Sequence, residues 1–101
     1  MATEPVVLID LLKVEPARQA ALIAQLKRNI ETVVRRLAGW RTSRLIAAGD
    51  GASVIIYSEW ETPAAVEAMR SDPRMKACFP QILELASFDS TLGETVFSDS
   101  R

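Results

Sequence analysis

A strand with no polar side constrains this chain more than any other feature. From the turn Asp50-Gly51 the sequence runs Ala52-Ser53-Val54-Ile55-Ile56-Tyr57-Ser58-Glu59-Trp60. Side chains alternate across a strand, so Val54, Ile56, Ser58 and Trp60 share one face and Ser53, Ile55, Tyr57 and Glu59 the other. Each face carries large apolar groups, which predicts a central strand covered on both sides. The run Val6-Val7-Leu8-Ile9-Asp10-Leu11-Leu12 poses the same problem, apolar on both faces but for a single carboxylate. Pro5 and Pro16 bracket it and β-branched residues open it, which favours strand over helix.

The remaining segments supply cover for one face. Pro16 suits the first turn of a helix. From Ala17 to Leu37, the residues Ile23, Leu26, Ile30, Val33, Val34 and Leu37 recur at steps of three and four, an amphipathic helix of about 20 residues. Arg35 and Arg36 complement its dipole, and Gly39 is placed to end it. Trp40 to Ala48 reads as a strand with Thr42, Arg44 and Ile46 alternating against Ser43, Leu45 and Ala47, and Gly49-Asp50-Gly51 forms the hairpin turn that follows. Thr62-Pro63 and Asp72-Pro73 each pair an N-cap with a first-turn proline. They predict a short helix to about Arg70 and a second to about Ala86, with Met75, Phe79, Ile82 and either Leu85 or Ala86 on one face. Leu92 to Phe97 is the expected last strand, and Ser98 to Arg101 a flexible tail.

The order β-α-β-β-α-β is the α+β ferredoxin-like arrangement, with helices on one side of a four-stranded antiparallel sheet. One domain over residues 1–101, with a core from about 4 to 97, accounts for the chain. Helices cover only one sheet face. The economical cover for the other is a second copy, packed sheet against sheet in a two-fold homodimer that hides at least ~800 Å² per partner.

Composition excludes several function classes. Twelve basic against thirteen acidic residues provide no bulk field for nucleic acid or an anionic membrane. No apolar run reaches the ~20 residues of a membrane span, and Met1-Ala2-Thr3-Glu4 lacks the charge and apolar segment of a signal peptide, so the expected location is the cytoplasm. The single Cys78 forms no internal disulfide and fits a reducing compartment. Histidine is absent, which removes a Ser-His-Asp triad, a His-based metal site and a His-ligated haem. Chemistry is left to carboxylates, Tyr57, Arg, Lys, Cys78 or the substrate itself.

Gly39-Trp40, Ser43, Asp50-Gly51, Val54, Tyr57, Trp60 and Ser71-Asp72-Pro73, taken together, resemble the antibiotic biosynthesis monooxygenase family. The resemblance covers about Glu4 to Phe97. It implies a dimeric α/β barrel with a cavity between sheet and helices in each subunit, and an oxygenase that needs neither metal nor flavin and acts on a small electron-rich aromatic or quinol. Trp60 matches the strand-ending Trp that lines the cavity in oxygenase and haem-degrading branches. Asp10 falls where several members place an inward Asn. Ile46 and Ile56 stand where some aromatic-polyketide oxygenases carry His and Asn, which counts against the same substrate, and the haem-degrading branch needs a histidine ligand that this chain lacks.

Asp10 is the candidate base, since a carboxylate among Leu8, Ile9, Leu11 and Leu12 suffers desolvation that raises its proton affinity. Trp60, the second expected catalytic residue, offers a flat apolar wall to an aromatic ring. Tyr57, Ile56, Ile46 and Phe79 complete the expected substrate-binding set. Each has a plainer rival: Asp10 as a structural ion pair, Trp60 as core, Tyr57 as part of the dimer face. Cys78 reads as a small hydrophobe, Met69 and Met75 as gap-fillers, and Arg35, Arg36, Arg41 and Arg44 as a solvated face. The alternative function is a non-catalytic dimeric module that binds a small molecule in the same cavity.

Overall fold

The computed structural model describes residues 5–101; Met1 to Glu4, on which the leader reading rests, lie outside them. Four strands, β1 (Val6–Val14), β2 (Trp40–Ala47), β3 (Ser53–Trp60) and β4 (Ala86–Glu94), form one antiparallel sheet in the order β2-β3-β1-β4. Helices α1 (Gln19–Thr32), α2 (Pro63–Ser71) and α3 (Pro73–Leu85), with short 3-10 turns at Pro16–Arg18 and Val34–Arg36, supply the rest of the regular structure. The two strands that are apolar on both faces are thus the two central ones. The α+β ferredoxin-like expectation holds.

The register fixes which side chains meet the helices. Asp10 pairs with Ile56 on β3 and with Ser90 on β4, so the three lie side by side across the sheet. Leu8, Asp10 and Leu12 are buried on that side, together with Val54, Ser58 and Trp60. The apolar residues there form two clusters, one around Leu12, Leu22, Leu26, Val54 and Ile82, the other around Leu8, Val34, Trp60, Val66 and Met69.

Local chemistry sets the element ends. Thr62 Oγ1 accepts from the Ala65 N–H at 3.1 Å and Asp72 Oδ1 from the Arg74 N–H at 2.8 Å, the two caps that start α2 and α3. Arg74 also pairs with Asp72 at 3.0 Å, and its hydrogen bonds hold the Asp72 carboxyl below the usual range. Gly39 has φ +86°, and a Cβ there would sit 2.5 Å from that of Ala65, so this turn admits glycine alone without rearrangement. Gly51, at φ +79°, closes the hairpin where the Ala52 N–H donates to Asp50 Oδ1.

Two boundaries differ most from the sequence reading. The first helix is not continuous to Leu37: α1 stops at Thr32 and Val34–Arg36 is a 3-10 turn. The β-branched run Thr32-Val33-Val34 explains the break, because χ1 crowding disfavours helix and the Thr32 hydroxyl donates back to the Arg28 carbonyl at 2.7 Å. The last strand is Ala86–Glu94 rather than Leu92–Phe97. It is an edge strand exposed beyond Ala86, so polar Ser87, Asp89 and Ser90 obscure its signal while pairing with β1 defines it. Val96 and Phe97, 96% and 80% exposed, follow the strand.

The opposite sheet face carries Val7, Ile9, Leu11, Ile46, Ile55 and Tyr57, and no helix packs on it among the described residues. Ile9 and Ile46 are left 43% and 46% exposed.

Candidate functional site

A cavity of about 400 Å³ opens between the helix-facing side of the sheet and the three helices. Its sheet wall is Leu8, Asp10, Leu12, Ile56, Phe88 and Ser90. Leu26 and Asn29 enter from α1, Met69 and Arg70 from α2, and Met75 and Phe79 from α3. Pro80 and Lys76 also line it, and Pro80 lacks the N–H that would bond the Lys76 carbonyl within α3. Phe79 and Phe88 meet edge to face across the cavity margin, ring centroids 5.1 Å apart, a packing suited to a third flat ring.

Asp10 is the one carboxylate of this largely apolar lining, whose other polar residues are Asn29, Arg70, Lys76 and Ser90. Its side chain is buried, and Oδ1 has no hydrogen-bond partner. Burial pushes its carboxyl above the ordinary 3.8, opposed by hydrogen bonding with Ser90 and by the charge of Arg70. Arg70 is tied to this corner, donating to Ser90 Oγ at 3.4 Å and pairing with Glu67 at 3.2 Å. The corner therefore holds a proton acceptor of raised affinity, a hydroxyl and a guanidinium at the edge of an apolar chamber. That set can take a proton from a weak acid and stabilise the anion formed.

Of the expected site residues, the fold brings Asp10, Ile56 and Phe79 together and separates the others. Trp60 does not line the cavity. It is 1% exposed in the cluster with Val6, Leu8, Val34, Val66 and Met69, and its Nε1–H donates to Ser58 Oγ at 3.2 Å. It thus backs Leu8 and Met69, which do line the wall. Ile46 sits on the far sheet face, because its register partner is Ile55 and an irregularity between Trp40 and Thr42 sets that phase. Tyr57 lies on the same far face, beside a shallow groove with Val7, Ile9 and Thr91, and its hydroxyl donates to Glu59 Oε2 at 3.5 Å. Arg35, Arg36, Arg41 and Arg44 are exposed and do not line the cavity, Arg44 standing beside Tyr57 on the outer sheet face, while Cys78 is half-buried and also outside the cavity lining.

The sequence reading missed Asn29, Arg70, Ser90 and Phe88. Asn29 had a signal: Leu22, Leu26, Asn29 and Val33 follow helical spacing, and a polar residue interrupts that buried stripe. Ser90 and Phe88 were hidden by the misplaced last strand, and their pairing opposite Asp10 and Leu12 appears only in the register.

The family model described as antibiotic biosynthesis monooxygenase matches residues 5–81. The chain belongs to this family. Among relatives of known name, this family member is 29% identical over 72 residues to the tetracenomycin-F1 monooxygenase of Streptomyces glaucescens, a match covering 71% of this chain and 64% of that protein. The matched stretch is thus under two thirds of the relative's length. Its fold is shared with a Streptomyces coelicolor monooxygenase, from the gene ActVA-Orf6, solved with nanaomycin D: TM-score 0.88, 19% identity, 97% of this chain and 93% of that one. SnoaB of Streptomyces nogalater, described as a cofactor-independent oxygenase, superimposes with TM-score 0.78 at 15% identity over 95% and 97% of the two chains.

Proposed function

We propose that this family member is a cofactor-independent monooxygenase that oxidises a small electron-rich aromatic or quinol-type substrate in the cavity beside Asp10. The observation that carries the reading is Asp10 itself, a buried carboxylate of raised proton affinity set in an apolar chamber edged by Phe79 and Phe88. Family membership and the named oxygenase relatives support it.

An anthrone illustrates the chemistry. Asp10 removes a proton from the methylene carbon, and the resulting carbanion, delocalised over the rings, reduces O₂ and joins it as a peroxide anion. Protonated Asp10 returns its proton to that oxygen. The hydroperoxide then loses water across the remaining C–H bond, so anthrone and O₂ become anthraquinone and H₂O. The apolar walls exclude bulk water from the carbanion, and Arg70 steadies the enolate oxygen. Ile56 and Phe79 contact the rings, and Trp60 supports the wall behind them.

The test is anaerobic mixing of purified protein with reduced anthrones and quinols, followed by oxygen uptake. Consumption above buffer with matching quinone formation is expected; buffer rates across the panel would sink the enzyme reading. The alternative, a module that binds a small molecule in the same cavity without turnover, is favoured by Asp10 turned to solvent; the burial of Asp10 at the cavity wall favours the enzyme.

The same reading includes a homodimer through the outer sheet face, supported by the uncovered Ile9, Ile46 and Tyr57. Light scattering at micromolar concentration is expected to give twice the 11.1 kDa chain mass, and Ile9→Asp, which puts a charge at the centre of that face, to give the single-chain mass. A wild-type monomer under those conditions contradicts the dimer.

A further inference from the structure

Asn29 is a buried polar residue that neither the proton-transfer chemistry nor the packing of α1 uses. It stands in the apolar stripe of that helix, is 8% exposed, and lines the cavity from the helical wall while Asp10 lines it from the sheet. Its amide nitrogen donates to Met75 Sδ at 3.7 Å, a weak contact with a flexible thioether. Its carbonyl oxygen is buried and has no hydrogen-bond partner among the described residues. A carbonyl acceptor left unmade is costly to a fold, and leucine at this position would continue the stripe without that cost. The same cavity contains the other buried side-chain oxygen without a partner among the described residues, Asp10 Oδ1.

We propose that Asn29 is a specificity-determining residue: its carboxamide accepts a hydrogen bond from a hydroxyl of the bound aromatic, making the preferred substrate class a polyphenolic ring system engaged at two walls. The inference rests on the reading of the cavity as an aromatic site. Met75 is the adjustable element, since a small swing of its thioether frees the carboxamide to meet the ligand. Asp10 engages the reacting end and Asn29 the second hydroxyl, so the residue acts on binding and orientation rather than on proton transfer.

The test uses anthraquinone, 2-hydroxyanthraquinone and 2,6-dihydroxyanthraquinone, already oxidised and therefore free of turnover, with hydroxyls too far from the ring carbonyls to bond internally. Binding to the full chain is followed by tryptophan fluorescence in mildly acidic buffer. Wild type is expected to bind the dihydroxy probe about tenfold more tightly than the monohydroxy probe, and Asn29→Leu to bring that ratio close to one. The leucine variant is also expected to melt no lower than wild type, because it removes an unsatisfied buried oxygen. If it does not fold, Asn29→Ala removes the same oxygen and repeats the binding comparison.

A wild-type protein that binds all three probes equally, or a folded variant that keeps the tenfold preference, overturns the anchor and leaves the oxygenase reading standing. A leucine variant that folds but melts several degrees lower makes Asn29 structural and also overturns it. No binding of any anthraquinone by wild type removes the aromatic-site reading, and the anchor with it.

Discussion

Asp10→Asn is expected to lower turnover of an electron-rich phenol or anthrone by about 10²–10⁴-fold, the usual contribution of a positioned general base. Asparagine preserves the shape of the side chain and removes its capacity to take a proton, so binding of an oxidised product analogue should change little. The pH dependence separates this role from a structural one. Burial raises the Asp10 carboxyl above its ordinary value of 3.8, and the base acts only when ionised, so wild-type kcat/KM is expected to climb along a limb centred above the normal carboxylate range. In Asp10→Asn the limb disappears with the rate.

Stability moves in the opposite direction. Because the folded chain holds the Asp10 proton more tightly than the unfolded chain, this group stabilises the fold fully below pH 3.8, and that contribution is lost as pH rises through the raised folded value. Asp10→Asn removes this dependence and is expected to flatten the melting temperature across that window. A folded Asp10→Asn variant that keeps wild-type turnover and its pH limb rules Asp10 out as the base.

How much of this could be read beforehand depended on whether the information was local. Thr62-Pro63, Asp72-Pro73 and the Asp50-Gly51 turn carry their own chemistry within a few residues, and each stands where the sequence placed it. The doubly apolar runs marked the two central strands for the same reason, since alternation is visible one strand at a time. What failed depended on a partner. β4 is defined by pairing with β1, not by its polar sequence, and Ile46 is turned outward by an irregularity near Trp40 that shifts its phase. The site inherited those errors. Asp10 was legible as a carboxylate in an apolar strand, but its neighbours Ser90 and Arg70 come from β4 and α2, more than fifty residues away. Trp60 shares the helix-facing side with Asp10, as alternation requires, yet one side of a sheet holds both a cavity and a core, and strand periodicity cannot distinguish them.

That distinction makes Trp60→Ala the most destructive single change expected in the fold. The indole is fully buried between Val6, Leu8, Val34, Val66 and Met69, and no small side chain can fill the space it would leave. Truncating a core Trp costs about 3–5 kcal/mol, a large part of the ~5–15 kcal/mol that holds a domain of this size together. The melting temperature should fall by at least about 12 °C, at fixed protein concentration since an assembling chain melts in a concentration-dependent way. Trp60→Phe keeps most of the volume and loses the Nε1–H donated to Ser58, whose own hydroxyl still donates to the Leu8 carbonyl at 3.4 Å. A loss of about 1 kcal/mol follows from the smaller buried surface. Because Leu8 and Met69 stand between the ring and the cavity, Trp60→Phe should retain turnover within a few-fold. If it instead abolishes turnover while the melting temperature holds, the indole reaches the substrate and the wall is not formed by Leu8 and Met69. The pair of variants thus decides whether the strand-ending Trp serves the chemistry directly or by keeping rigid the wall on which Asp10 and Ile56 are mounted.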